Sequence, residues 1–208
     1  MKGQVRIGID FDNTIATYDD VFRNAARAFA KDVDFSNLNK REIRDRLRLH
    51  PDGELAWQRM QGFAYGKGIS GAKLFEGAGR FLQRCHDYGF VVLIVSHKTE
   101  FGHHDADRVN LREVAFGWMQ SQGFFRPDSY GILADNVYFE ATRQAKLARI
   151  ATLGCTYFID DLEEVLSDSE FPPTVTRILF SPNEGDRPAG AYAVCHSWET
   201  IEKMVFRD

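Results

Sequence analysis

A continuous run of apolar residues, FVVLIVS at 90–96, most constrains how this chain of 208 residues can fold. A strand that is apolar on both faces is typical of a parallel sheet covered on its two sides. Further apolar runs, QVRIGIDF (4–11), CTYFIDD (155–161) and TVTRILFS (174–181), alternate with amphipathic segments. This alternation predicts an α/β fold in which helices connect parallel strands.

The segments between these runs show the periodicity of helices. Helices are predicted at 21–33, 74–89, 108–122, 140–154, 162–168 and 197–206, and a short strand at 136–139. Gly89 and Gly154 suit helix C-termini, and Ser197 suits an N-cap. Residues 37–71 are helical in pattern, rich in charge at first and in glycine at the end, without a strand-like run. We interpret that stretch as a helical insertion.

The composition excludes several classes of protein. The formal net charge of −4 argues against nucleic-acid binding through a basic surface. Three cysteines without CxxC spacing predict no disulfide framework and suit a reducing compartment. The first residues have too few apolar side chains for a signal peptide, and no apolar run approaches the roughly 18 residues of a membrane span. We expect a cytoplasmic protein that does not bind membranes.

Three of the predicted strands end in polar residues. These are Asp10 and Asp12 after the first, Ser96 after the second, and Asp160 and Asp161 after the third. Ligands of open parallel sheets bind beyond the carboxyl ends of the strands, so we expect these side chains to converge. Four carboxylates repel one another unless a cation lies among them, and hard oxygen ligands suit Mg²⁺. Lys146, on the helix before the third strand, could add a positive charge.

A metal, a nucleophilic carboxylate, a hydroxyl and a lysine together suit phosphoryl transfer. A carboxylate can attack phosphorus and form an aspartyl phosphate. The metal and the lysine offset the charge on the phosphoryl oxygens, and the serine donates a hydrogen bond. A second carboxylate, two residues further on, can protonate the leaving alcohol and then activate water.

These elements resemble the four motifs of the haloacid dehalogenase-like (HAD) hydrolase superfamily. DFDNT (10–14), the strand ending in Ser96, Lys146, and YFIDD (157–161) follow the family's order. The resemblance implies a three-layer Rossmann-like core with a cap between the first two motifs. It therefore predicts a core of 1–18 and 72–208, with a small helical cap of 19–71.

The resemblance also implies a role for each site residue. Asp10 resembles the nucleophile and Asp12 the general acid/base, while Ser96 and Lys146 resemble the phosphate-holding pair. The implied metal ligands are the Asp10 side chain, the Asp12 backbone carbonyl and the Asp160 side chain, with Asp161 nearby. Family members that cleave carbon–halogen or carbon–phosphorus bonds lack an aspartate at the position of Asp12. The resemblance thus points to a phosphatase for a small phosphorylated metabolite.

Some side chains keep alternative interpretations. Lys98, two residues after Ser96, competes with Lys146 for the phosphate. His97, His103 and His104 form no recognisable zinc site and are expected to be solvated or to touch substrate. If the cap closes over the site, one of three arginines in KREIRDRLR (40–48) could hold an anionic part of the substrate; otherwise they form a solvated helix face. These are Arg41, Arg44 and Arg48.

Two other functions stay open. A receiver-like signalling module also uses a phosphorylated aspartate, an acidic pair, a hydroxyl and a lysine on a parallel sheet. Receivers, however, place the acidic pair first and the lysine last, whereas this chain begins with the D-x-D and ends with the acidic pair. The second alternative is a catalytically altered HAD-fold protein that binds phosphorylated ligands without turning them over.

Overall fold

Six parallel strands form one sheet in the computed structural model, which describes residues 4–30, 33–102, 107–182 and 190–206. In chain order the strands are β1 (Arg6–Ile9), β2 (Ala16–Thr17), β3 (Lys73–Leu74), β4 (Val91–His97), β5 (Val137–Glu140), β6 (Tyr157–Asp160), β7 (Thr176–Phe180) and β8 (Ala193–Cys195). The spatial order of the large sheet is β5-β4-β1-β6-β7-β8, and β2 pairs with β3 in a separate sheet. The order places β1 between β4 and β6.

The helices follow the predicted alternation. They are α1 (Asp19–Phe29), α2 (Lys40–Leu47), α3 (Gly53–Tyr65), α4 (Ala78–Asp87), α5 (Leu111–Ser121), α6 (Arg143–Leu153), α7 (Glu163–Leu166) and α8 (Trp198–Val205), with 3-10 turns at Lys67–Gly71 and Ala134–Asn136. Helices α4 and α6 pack against β4, α7 against β7, and α8 against β8. The predicted Rossmann-like α/β fold with a parallel sheet is confirmed.

The register of β1 shows why the centre of the sheet is tightly packed. Gly8 lies between Leu93 of β4 and Phe158 of β6, and a Cβ atom on Gly8 would come within 2.4 Å of the Phe158 ring. Phe158 belongs to a buried apolar cluster with Leu93 and Ile150. The absent side chain of Gly8 therefore makes room for an aromatic core residue.

The chain divides into two compact units. One contains residues 1–16, 74–98 and 122–208, and the other contains residues 17–73 and 99–121. The second unit is held by contacts such as the hydrogen bond from Trp118 Nε1 to the Ala72 carbonyl, at 3.3 Å. Residues 99–121 thus group with 17–73, although the predicted core of 72–208 included them. The division into a cap and a core stays a prediction.

None of the helices in the described part of the chain has the length and hydrophobicity needed to cross a bilayer. His103 and His104 lie outside the described residues. His97 ends β4 with an exposed side chain, and its Nε2 atom lies 3.1 Å from the carbonyl oxygen of Ala141.

Candidate active site

A tight turn after β1 follows the first carboxylate. The Asp10 backbone N–H donates to the Ile159 carbonyl at 2.9 Å, which continues the pairing of β1 with β6. Asn13 then adopts φ 63°, and its N–H donates to the Ala16 carbonyl at 2.8 Å. A left-handed conformation is tolerated by asparagine better than by most side chains. The turn thereby fixes the backbone on which Asp10 and Asp12 stand.

Three carboxylates converge where β1 and β6 end. Asp10, Asp160 and Asp161 each offer an oxygen atom, and these atoms lie within 4.8 Å of one another. Asp10 and Asp160 are buried, with 5% and 0% of their surface exposed. The Thr14 hydroxyl donates to Asp161 Oδ1 at 3.2 Å, and the Leu162 N–H donates to Asp160 Oδ1 at 2.9 Å. Carboxylate oxygens this close together, two of the three groups being buried, fit a hard divalent cation such as Mg²⁺.

Lys146 joins two of these carboxylates. Its Nζ atom lies 2.6 Å from Asp10 Oδ1 and 2.6 Å from Asp160 Oδ2, and the side chain is fully buried. Lys146 stands in the first turn of α6, which the Thr142 side chain caps by accepting from the Ala145 N–H at 3.1 Å. Burial acts to lower the pKa of Lys146, but the charges and hydrogen bonds of Asp10 and Asp160 outweigh it and raise that pKa. Lys146 is therefore a positively charged member of the site.

Burial also changes the acidity of Asp10. Desolvation raises the pKa of its carboxyl to about 7, with Asp160 and Asp12 adding to the effect and Lys146 opposing it. A cation at the cluster would offset this burial and favour the ionised form of Asp10.

Lys98 contacts the other aspartate of the motif. Its Nζ atom lies 2.6 Å from Asp12 Oδ2, and its side chain is only 3% exposed. The Lys98 backbone N–H donates to the Glu140 carbonyl at 2.9 Å, which ties the residue to the end of β5. The two candidate lysines therefore have different acidic partners. Lys146 pairs with Asp10 and Asp160, whereas Lys98 pairs with Asp12.

Ser96 presents a hydroxyl group at the end of the apolar strand β4. Its Oγ atom is buried and has no hydrogen-bond partner among the described residues. Ser96 is itself only 1% exposed and lies in β4 beside β1. A buried hydroxyl without a partner carries a free-energy cost, which a ligand that accepts its hydrogen bond would remove.

The structure brings together most of the predicted site residues and adds two contacts that the sequence did not predict. Asp10, Asp160 and Asp161 form one cluster, Lys146 bridges two of its members, and Ser96 lies on the adjoining strand. Sequence reasoning missed the Thr14 contact with Asp161 and the Lys98 contact with Asp12. The strand-end position of Lys98, two residues after Ser96, was the available signal for the second contact.

Comparisons with known proteins bear on the fold. No protein-family model and no curated protein matches the chain. Solved structures do match it. A haloacid dehalogenase-like family hydrolase from Streptococcus pneumoniae has a TM-score of 0.62 at 14% identity, and the match covers 100% of both chains. A HAD-hydrolase from Bacillus subtilis, bound to magnesium, has a TM-score of 0.60 at 12% identity, over 99% of this chain and 100% of its own.

A third structure, described as "a predicted phosphatase" from Clostridium acetobutylicum, has a TM-score of 0.58 at 14% identity and covers 99% of both chains. This chain has the fold of the haloacid dehalogenase-like hydrolases. The HAD fold predicted from the four motifs is confirmed. Because the identities are so low, this likeness concerns the HAD fold, and the chemistry rests on the site residues.

Proposed function

We propose that this protein is a Mg²⁺-dependent phosphomonoester hydrolase that forms an aspartyl phosphate on Asp10 and acts on a small phosphorylated metabolite. One observation carries the proposal: the buried Asp10 carboxylate lies against Lys146 within the cluster of acidic side chains. A structural salt bridge would need one acid for one base. Here three clustered acids lie beside one lysine that bridges two of them, and this excess of negative charge suits a cation, which would in turn attract the phosphoryl group.

The metal would be held by the Asp10 side chain, the Asp12 backbone carbonyl and the Asp160 side chain, with Asp161 close by. When bound, Mg²⁺ supplies positive charge that stabilises the oxygens of a transferring phosphoryl group. The magnesium bound to the structurally similar Bacillus subtilis HAD-hydrolase supports Mg²⁺ as the ion. The spacing of the three carboxylates supports it independently.

The chain's own groups account for both chemical steps. An oxygen of Asp10 attacks phosphorus, the bond from phosphorus to the ester oxygen breaks, and protonated Asp12 gives its proton to the departing alcohol. Asp12, now ionised, takes a proton from water as that water attacks the phosphorus. The bond from Asp10 to phosphorus then breaks, which releases inorganic phosphate and restores Asp10.

Three further side chains would hold the reacting groups. Ser96 Oγ would donate a hydrogen bond to a phosphoryl oxygen, and Lys146 would offset the phosphoryl charge while holding Asp10 in place. Lys98 would orient the Asp12 carboxylate, because its ammonium group lies 2.6 Å from Asp12 Oδ2. Lys98 is therefore a positioning residue in this proposal.

The test is phosphate release from a panel of small phosphomonoesters, measured with Mg²⁺ and with EDTA. We expect metal-dependent release by the wild-type protein and by the control Asp128→Asn. Asp128 is an exposed carboxylate that pairs with Arg126 and does not belong to the aspartate cluster. Asp10→Asn should release no phosphate while keeping its circular dichroism spectrum. Release that persists in Asp10→Asn would remove Asp10 as the nucleophile.

A different outcome would favour the non-hydrolytic alternative. If no panel member is hydrolysed but phosphomonoesters still bind in calorimetry, the protein is a HAD-fold binding protein without turnover. The complete set of Asp10, Asp12, Ser96, Lys146 and Asp160 supports the hydrolase instead.

A further inference from the structure

A cavity of about 680 Å³ lies within the unit formed by residues 17–73 and 99–121. Side chains of α2 and α3 line much of it, and Thr99, Gly102 and Leu111 complete the lining. Small-molecule sites have volumes of roughly 300–1,000 Å³, so the cavity is large enough for a metabolite. The phosphoryl-transfer chemistry proposed above uses none of these residues.

The wall of the cavity is positively charged. Lys40, Arg44 and Arg48 follow one another at intervals of four residues along α2 and its C-cap, and all three line the cavity. Like charges at this spacing repel each other and destabilise a helix. Among the described residues that line the cavity, Glu54 alone is acidic. A concave surface lined mostly by one sign of charge attracts ligands of the opposite sign.

The ion pairs of the two arginines are easily exchanged. Arg44 pairs with Asp45 at 2.8 Å, and Arg48 pairs with Glu54 at 2.6 Å. The side chains of Arg48 and Glu54 are 45% and 52% exposed, and those of Arg44 and Asp45 are 34% and 55% exposed. Exposed ion pairs contribute little to stability, so a ligand can replace these contacts at small cost.

The aromatic part of the lining is fixed. Lys40 Nζ donates to the Tyr65 hydroxyl at 2.6 Å, and Trp57 stacks on Phe22 with 4.9 Å between ring centroids. Trp57 is 4% exposed, so its ring is held by the packing of the unit. The cavity thus combines exposed, ion-paired arginines with a packed aromatic side, and Gln58 and Gln61 add uncharged hydrogen-bonding groups.

We propose that this cavity is a binding site for a small polyanion, a molecule that carries at least two carboxylate or phosphate-type groups. Arg44 and Arg48 bind the anionic groups, since guanidinium groups form charge-assisted hydrogen bonds with such oxygens. The site is separate in its residues from the aspartate cluster. Its existence therefore does not depend on the proposed hydrolase activity.

The test is isothermal titration calorimetry of the full chain in buffer freed of metal ions by a chelating resin, with citrate and with methylenebisphosphonate as probes. We expect saturable binding that weakens about tenfold or more in Arg44→Gln. Arg46→Gln is the matched control, because it removes the same charge from the same helix at a residue that does not line the cavity. Equal weakening in both variants, or no saturable binding of either probe, would overturn the proposal.

Two further variants locate the bound probe. Glu54→Gln removes the acidic lining residue and releases Arg48, so citrate should bind several-fold more tightly. Citrate should also change the tryptophan fluorescence of the wild-type protein but not that of Trp57→Phe, while calorimetry still shows binding to that variant. Binding that is unchanged in Glu54→Gln, together with a fluorescence change that survives Trp57→Phe, would place the probe elsewhere and contradict the proposal.

Discussion

At the scale of single residues, each lysine of the site is defined by the acid it contacts. Lys146 is fully buried between Asp10 and Asp160, whereas Lys98 contacts Asp12, whose side chain keeps 16% of its surface exposed. Removing the partner of a buried charge strongly destabilises the folded protein. Removing the partner of a partly solvated charge costs less stability, because water still contacts that charge. The two lysines should therefore differ in what their removal does.

Replacement of each lysine by methionine separates these roles. Lys146→Met should lower the free energy of unfolding in EDTA by about 3–5 kcal/mol, because Asp10 and Asp160 stay buried without a counter-charge. Lys98→Met should lower it less, and Lys146→Met should also show the larger loss of kcat. Urea unfolding and steady-state kinetics measure both effects. Equal losses of stability and activity in the two variants would contradict the assignment of Lys146 to Asp10.

The members of the candidate site were predictable from the sequence where the order of the strands alone brings side chains together. Asp10, Asp160 and Asp161 follow two strands that are neighbours in the sheet, so their approach follows from the topology. The choice between Lys98 and Lys146 was not predictable, because both lie close to the strand ends and a sequence does not say which acid each lysine reaches. The structure gives each lysine its own acidic partner, and the choice of Lys146 for the phosphate stays a prediction.

At the scale of elements, helix boundaries depended on local backbone geometry. The predicted helix at 74–89 begins only at Ala78, because Gly77 takes φ 84°, and it ends before Gly89, which takes φ 65°. The predicted N-cap Ser197 is confirmed, since its side chain accepts from the Thr200 N–H. Strand β8 (Ala193–Cys195) was missed because three residues are too few for an alternation pattern.

Two glycines give a prediction about element packing. Gly8→Ala should destabilise the protein by about 1–3 kcal/mol, because the new methyl group would overlap the buried Phe158 ring. Gly117→Ala is the matched control. Gly117 is exposed within α5 and a Cβ there meets open space, so the substitution should stabilise by about 1 kcal/mol through helix propensity. Thermal or urea unfolding measures both changes, and a neutral Gly8→Ala would show that β1 and β6 are less tightly packed than described.

At the scale of the whole molecule, the chain forms two units that its sequence only partly predicted. The helical character of 37–71 was visible, and α2 and α3 lie there. The grouping of α5 with that segment was not visible, since it depends on long-range contacts such as that of Trp118 with Ala72. Periodicity identifies a helix, but it does not identify the surface against which the helix packs.

Binding of Mg²⁺ should stabilise the folded protein as a whole. A ligand that binds the native state alone stabilises it by about 2.7 kcal/mol at a hundred times its Kd, so the Tm of the wild-type protein should rise with Mg²⁺. Asp160→Asn removes a member of the carboxylate cluster and should lose most of the rise. Asp135→Asn, an exposed aspartate of a 3-10 turn, should keep it. An equal rise in all three proteins would place Mg²⁺ outside the cluster.

The most direct test of the account is chemical trapping of phosphorylated Asp10. Asp12→Asn should accumulate this species with p-nitrophenyl phosphate, since the p-nitrophenolate leaving group needs little protonation, whereas hydrolysis without the Asp12 base should slow by about 10²–10⁴-fold. Borohydride reduces an aspartyl phosphate to homoserine, which peptide mass spectrometry locates. The account predicts homoserine at position 10. Phosphate release with no modification at position 10, or with homoserine at another aspartate, would contradict it.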